Sequence, residues 1–175
     1  MPQSPEGITI RRVARTDAAA TAEYMRRLRA EVAAGELDTV PWRQPLTDEQ
    51  QAEFLTRLEL NPHAVMFAGF AGEEVVGLVD IVGGQSDFDR HQGVLGISVA
   101  RGWRGRGLGR ALMEAAIAEA RSWPGFCRIE LICVTWNTNA IALYESLGFT
   151  IEGRKRKAVK FHDRPDDEFL MALVW

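Results

Sequence analysis

The run RGWRGRGLGRALM, Arg101 to Met113, constrains the fold of this chain more tightly than any other segment. Four glycines and four arginines fall within the ten residues 101–110, and the chain then turns abruptly into Leu, Ala and Met. Ahead of it, GVLGISVA (residues 93–100) has the make-up of a strand. Behind it, Met113, Ala116, Ile117 and Ala120 share one helical face, and Arg110, Glu114 and Arg121 share another. That spacing predicts a helix from near Leu108 to about Ser122, ended by Pro124-Gly125. A strand passed to a helix through a glycine-rich turn is a phosphate-binding arrangement. Gly105, Gly107 and Gly109 let backbone N–H groups converge without interference from Cβ atoms. The first helical turn adds unpaired N–H groups and the positive end of the dipole. Arg104, Arg106 and Arg110 add charge around the same point. A plain tight turn lined with solvated arginines fits the same residues.

Two familiar phosphate motifs are excluded. GRGLGR is not G-x-x-x-x-G-K-[ST], and glycines spaced two and two are not G-x-G-x-x-G. A dinucleotide site would also need an acidic residue closing the next strand, which here ends ICVTWN.

The remaining elements follow from pattern. ITIRRV (8–13) alternates as a strand, and Thr16 or Asp17 can cap a helix through AAATAEYMRRLRAEVA. Residues 35–45 form a loop by their Gly and Pro content. TDEQQAEFLTRLEL opens with Thr47 or Asp48 as a cap and stops at Asn61-Pro62. AVMFAGF and EVVGLVDIVGG form a hairpin through a tight Gly-Glu turn. CRIELICV is a strand, NTNAIALYESLG a helix, and FTIEGRKRKAV and DEFLMALVW two closing strands. Hairpins followed by strand–helix–strand–helix–strand predict an α+β fold: a mixed, mostly antiparallel central sheet flanked by helices. No linker divides the chain, so residues 1–175 are expected to make one domain behind a loose lead of residues 1–7.

Charge and cysteine content narrow the setting. Against 21 Lys and Arg stand 24 Asp and Glu, a net charge of −3, so nothing global points to nucleic acid. No apolar run approaches membrane-span length and no signal peptide opens the chain. Neither nucleic acid nor membrane is therefore an expected partner. Cys127 and Cys133 lie on one strand, roughly 20 Å apart, too far to pair. They read as thiols in a reducing compartment, and the expected location is cytoplasmic. No Cys or His cluster has metal-ligand spacing, so no metal is expected.

RGRGLG (104–109) matches Q/R-x-x-G-x-G/A, and NTNAIALYESLGF (137–149) matches N-x-x-A-x-x-L-Y-x-x-x-G-F. In that order and separation, these two motifs resemble the GCN5-related N-acetyltransferases, near the ribosomal-protein and spermidine-type branch. The resemblance is strongest from about Gly93 to Gly153 and implies the acyl-CoA N-acyltransferase fold and acetyl-CoA as co-substrate. It implies that Ile97, Ser98 and Val99 align the pantetheine arm, and that Gly105, Arg106, Gly107, Leu108, Gly109 and Arg110, with Arg104, form the pyrophosphate cradle. It likewise implies that Asn137 contacts the cofactor and that Tyr144 sits near the thioester sulfur. A homodimer stays open, with no interface signal in the sequence.

Acetyl transfer to an amine makes three physical demands. The amine, with a pKa of ~10 when free, must lose a proton. The carbonyl oxygen needs a fixed donor, for which a backbone N–H near Val99 is a candidate. The departing thiolate needs an acid, and Tyr144 is the candidate. Tyr144 also fits an aromatic packed beside Ala140 and Leu147. Asn137 also fits a simple helix cap, and Asn139 competes for either job.

The base is less determined. Ribosomal-protein acetyltransferases carry a glutamate at the position occupied here by Ile132. Glu130 shares its strand face but equally suits an ion pair with Arg128 or a neighbouring strand. His91, just before the strand of residues 93–100, is a second candidate and also a plausible turn residue. Asp80 is a third, with a buried hydrogen-bonded carboxylate as the alternative; a water chain is a fourth. Glu31, Glu36 and Asp38 are candidates to attract a cationic amine, and Trp42 is expected to pack. GRKRKAVK (153–160) reads as a solvated edge. Together these readings point to an acetyl-CoA-dependent N-acetyltransferase acting directly on a small-molecule or peptide amine. The alternatives are a protein N-terminal or lysine acetyltransferase and a non-catalytic acyl-CoA sensor.

Overall fold

A computed structural model describes residues 5–34, 46–161 and 164–175. Glu36, Asp38 and Trp42, with the loop predicted for residues 35–45, lie outside the described residues. The elements run β1 (Thr9–Arg12), α1 (Ala18–Ala33), α2 (Asp48–Leu60), β2 (Ala64–Ala71), β3 (Glu74–Gly83), β4 (Gln92–Val99), α3 (Leu108–Arg121), β5 (Arg128–Val134), α4 (Thr138–Ser146), β6 (Thr150–Phe161) and β7 (Arg164–Val174).

The strands make one seven-stranded sheet in the order β1-β2-β3-β4-β5-β7-β6. Only β4 and β5 run parallel; their neighbours all pair antiparallel. This is the mixed, mostly antiparallel sheet that the pattern predicts. Local chemistry sets several boundaries. Thr47 caps α2, its hydroxyl accepting the Gln50 N–H at 3.2 Å while the Gln50 side chain accepts the Thr47 N–H at 3.0 Å. Gly72, at φ +62°, supplies the turn between β2 and β3.

Strand alternation divides the core into two layers. Leu95 on β4, Ile129, Leu131 and Cys133 on β5 and Met171 and Leu173 on β7 pack towards α3 and α4. Met66, Ala68 and Leu78 pack towards α1 and α2 on the other face. Glycine fixes the depth of α3: a Cβ on Gly69 would stand 2.9 Å from a methyl of Leu108, and one on Gly77 3.0 Å from a methyl of Leu112. Leu108 is 1% exposed, so its burial of ~2 kcal/mol pins the first turn of α3 to the sheet.

The feature that makes a site is the parting of β4 and β5. They pair only at Gln92↔Arg128, Gly93↔Ile129 and Val94↔Glu130. Beyond these, β4 stays on β3 through Val99, and β5 stays on β7 through Val134. Each strand remains hydrogen-bonded on its outer side, and a notch opens between them. At the far edge, Arg154 and Lys155 of the basic run pair across to Asp167 and Glu168 at 2.7 and 3.5 Å, in keeping with a solvated edge.

Candidate active site

The glycine stretch curls over the open end of the notch. Gly105 and Gly107 take φ +70° and +83°, a region that costs any side-chain-bearing residue strain, and open space surrounds the position of an added Cβ at both. Gly107 is the N-cap of α3. The first amide to return to a backbone carbonyl is that of Ala111, donating to Gly107 O at 3.1 Å. Among the described residues, the N–H groups of residues 105–110 thus donate to no backbone carbonyl. Leu108 and Gly109 contribute amides alone. The Leu108 side chain is core, and a Cβ on Gly109 would lie 3.4 Å from Leu143, so glycine here lets α3 approach α4.

The arginines differ in how they are held. Arg104 donates from Nε to Val99 O at 2.9 Å, tying the turn to the end of β4. The Arg106 guanidinium lies over the Trp103 ring, 5.2 Å from its centroid. Arg110 bridges α3 to α4 by a 2.6 Å bond to Ser146 Oγ.

Within the notch, backbone direction follows from register. Ala100 N–H donates to Val76 O at 3.0 Å, towards β3. Alternation then turns the N–H groups of Val99 and Ile97 the other way, to the side from which β5 has withdrawn. Ser98 faces α1, where its Oγ accepts a 3.0 Å bond from the hydroxyl of Tyr24.

Tyr144 stands on α4 over β5, 8% exposed, its ring 6.1 Å from that of Phe149. Burial pushes its phenol well above the ordinary tyrosine range, and nearby Cys133 adds to the effect. A phenol so placed stays protonated at any working pH and is available as a donor. Burial likewise raises the Cys133 thiol to about 11, so it is not a thiolate nucleophile at neutral pH. Asn137 caps α4, its Oδ1 accepting the Ala140 N–H at 3.2 Å, which leaves the side-chain NH₂ to donate elsewhere.

Three features thus stand in chain order: a parallel strand pair that parts after Val94, unbonded amides at the start of α3, and a buried phenol near Cys133 of β5. The profile of the Acetyltransferase (GNAT) family matches residues 31–149. The chain belongs to the GNAT family of acetyltransferases. Over 133 residues it is 32% identical to the [ribosomal protein bS18]-alanine N-acetyltransferase of Escherichia coli, covering 76% of this chain and 80% of that protein. It is 35% identical over 101 residues to the L-amino acid N-acetyltransferase AaaT of Escherichia coli. That match covers 58% of this chain and 62% of AaaT, less than two thirds of the relative's length. Among solved structures, an acetyltransferase of the GNAT family from Streptococcus pneumoniae superimposes with a TM-score of 0.87 at 26% identity, covering 96% of this chain and 99% of that one. The yncA protein of Salmonella typhimurium, solved with acetyl-CoA, gives 0.81 at 23% identity over 97% and 94%. The seven-stranded mixed sheet with its flanking helices is the GNAT fold.

In this GNAT protein the candidate bases are spread out. Glu130 lies at the closed corner of the notch, opposite Val94, 3.2 Å from Arg128, which also holds Glu152 at 2.5 Å. His91 precedes β4 at the far end, seven residues and roughly 23 Å of extended chain from Ser98. Ile132, two residues along β5, shares the Glu130 face. The contact that sequence reasoning misses is Tyr24. It is 1% exposed, and burial raises its phenol strongly, with the Ser98 bond opposing. Its partner is 74 residues away, so only the packing of α1 on the sheet reveals the pair.

Proposed function

We propose that this protein transfers the acetyl group of acetyl-CoA to a primary amine by direct attack within a ternary complex. The observation that carries the reading is the alignment of two features: free amides over the end of the notch suit a diphosphate, and β4 backbone donors within it suit a thioester carbonyl. Support comes from the family, from the Salmonella protein solved with acetyl-CoA, and from two relatives named for acetylating an L-amino acid and an alanine of a ribosomal protein. Both of those acceptors offer an α-amino group, so the acceptor class proposed here is an α-amine, free or at a peptide N-terminus.

In the mechanism, the amides of residues 105–110 hold the diphosphate with Arg104 and Arg106, while Asn137 offers its side-chain NH₂ to the cofactor. The arm runs along Ile97, Ser98 and Val99. The Val99 N–H donates to the carbonyl oxygen as it gains charge. The lone pair of the neutral amine bonds to the carbonyl carbon, the C–S electrons leave on sulfur, Tyr144 gives its proton to that sulfur, and the proton lost from nitrogen returns through water to the Tyr144 oxygen, leaving the amide and the free thiol. Cys133 remains a neutral thiol and takes no acetyl group.

The test is Tyr144→Phe. Thiol release with a panel of L-amino acids and an alanine-initiated peptide is expected to fall ~10²-fold or more. CoA affinity and melting temperature are expected to hold, because the deleted hydroxyl bonds to no described residue. Wild-type turnover in this variant would remove Tyr144 from the chemistry. CoA binding without thiol release from any amine would make the protein a sensor.

A further inference from the structure

We infer that Glu31 is the carboxylate that receives a cationic acceptor amine on the α1 side of the notch and sets the protein's preference for protonated amines. The inference rests on the acyl-transfer reading above and gives that reading an acceptor-binding residue.

The unbonded amides lie at the start of α3, and Tyr144 and Cys133 belong to the layer of α3 and α4. An acceptor meets the thioester from the face those groups do not occupy, the face of α1. There Tyr24 ties α1 to β4, its hydroxyl donating to Ser98 Oγ at 3.0 Å. Glu31 stands seven residues on, two helical turns, and so on the same side of α1. Burial raises the Tyr24 phenol, and the charge of Glu31 adds to the rise, so the carboxylate is within electrostatic reach of the Tyr24–Ser98 pair. Direction follows from the sheet. Ser98 pairs with Leu78, whereas Arg27 bonds to Glu74 and Val75, nearer the start of β3. From Tyr24 to Arg27 the helix therefore runs towards the open end of the notch, and Glu31 follows one turn further.

Glu31 reaches this position without a cation. Its Oε2 is enclosed and has no hydrogen-bond partner, while the residue as a whole is only half-buried. The residue four places earlier, the usual helical partner of a glutamate, is Arg27. Arg27 is turned to the sheet instead: Nη1 pairs with Glu74 and Nη2 donates to Val75 O at 2.9 Å. Its Nε bonds to nothing, Glu31 included. A half-enclosed carboxylate with no partner carries an unmet desolvation cost. Its charge is shared by both oxygens, so an ammonium docked on the open side neutralises the whole group. An amine supplies that charge at neutral pH, since its free pKa is ~10. Contact with Glu31 is a binding step. The nitrogen gives its extra proton to water before attack, and Glu31 takes no part in the bond changes.

The test compares Glu31→Gln, Glu31→Asp and wild type. The substrates are whichever amine of the panel turns over and a fluorinated analogue of it, weakly basic enough to be neutral at the assay pH. For the cationic amine, Glu31→Gln is expected to raise KM ~10-fold while kcat stays within about threefold. Glu31→Asp, which keeps the charge, is expected to recover part of that loss. For the neutral analogue, KM is expected to stay within about twofold in both variants. CoA affinity and melting temperature are expected to hold, because the substitution breaks no bond of the fold. An unchanged KM for the cationic amine in Glu31→Gln, or an equal rise for the cationic and neutral amines, would overturn the assignment. If Glu31→Gln fails to fold, Glu31→Ala is read by the same two criteria. Wild-type protein that acetylates no amine would instead overturn the acyl-transfer reading. Calorimetric titration of the alanine-initiated peptide into the CoA-bound protein then tests Glu31 alone: ~10-fold weaker binding is expected in Glu31→Gln, and equal or absent binding in both proteins would overturn the assignment.

Discussion

Gly107→Ala separates the backbone's part in the cradle from every side-chain effect. The added Cβ meets nothing within 4 Å, so no clash contributes. What remains is the φ of +83°. Holding an L-residue there costs roughly 1–2 kcal/mol, and the smaller conformational freedom of unfolded alanine offsets ~0.4–1 kcal/mol of it. A net loss of about 1 kcal/mol corresponds to a fall of ~2–4 °C in Tm for a chain this size. The larger effect is on binding. The chain can relieve the strain by rotating Gly107 and swinging its N–H and neighbouring amides off their common focus. A charge-assisted hydrogen bond is worth ~1.5–3 kcal/mol, so misdirecting one such amide is expected to weaken CoA binding ~10- to 100-fold. Isothermal titration with CoA and a thermal melt read the two effects. Gly102→Ala is the control: its φ is not positive, and an added Cβ there also meets open space. It is expected to match wild type in both assays. Gly107→Ala with unchanged CoA affinity, or Gly102→Ala with an equal loss, would refute the reasoning that left-handed glycines aim the cradle.

Two further variants probe the chemistry and the fold. Cys133→Ala is expected to keep turnover within threefold, and mass spectrometry of the wild-type protein with acetyl-CoA is expected to find no acetylated cysteine; an adduct that decays when amine is added would argue for a covalent intermediate. The Asp17 carboxylate, bonded by both Arg11 nitrogens at 2.7 Å, is held below the usual carboxylate range, first by those bonds and then, against burial, by the Ala14 N–H. Its folded pKa lies below its unfolded one, so its stabilisation is present above the unfolded value and lost as pH falls through the folded value. Asp17→Asn is expected to cost ~1 kcal/mol at neutral pH, with the gap to wild type closing in acid melts; a gap constant across that range would contradict the pairing.

Elements whose signals are local were legible in the sequence. The α1 span AAATAEYMRRLRAEVA coincides with Ala18–Ala33, and Thr47 caps α2 through the Gln50 three residues on. The left-handed turn at Gly105 and Gly107 was also legible, because such backbone favours glycine. Asn137 emerged as the cap its spacing suggested. Contacts across the sheet were not legible, since strand alternation gives a residue's face but not its neighbour. Glu130 and Ile132 share a face in any register, yet only the parting of β4 and β5 leaves Glu130 at the closed corner beside Arg128. The distance of His91 from the open end of the notch depends on which end of β4 meets the cradle.

The sequence by itself determined the order of elements, the glycines that free the amides of residues 105–110, and a phenol one helix later. These depend on φ, ψ and helical period, which neighbouring residues set. The tertiary structure alone decided that β4 and β5 separate after Val94, that Tyr24 reaches Ser98, and that Asp80 lies over Gly96. Those facts depend on strand register and helix packing, which bring together groups distant in the chain through the burial of the whole core.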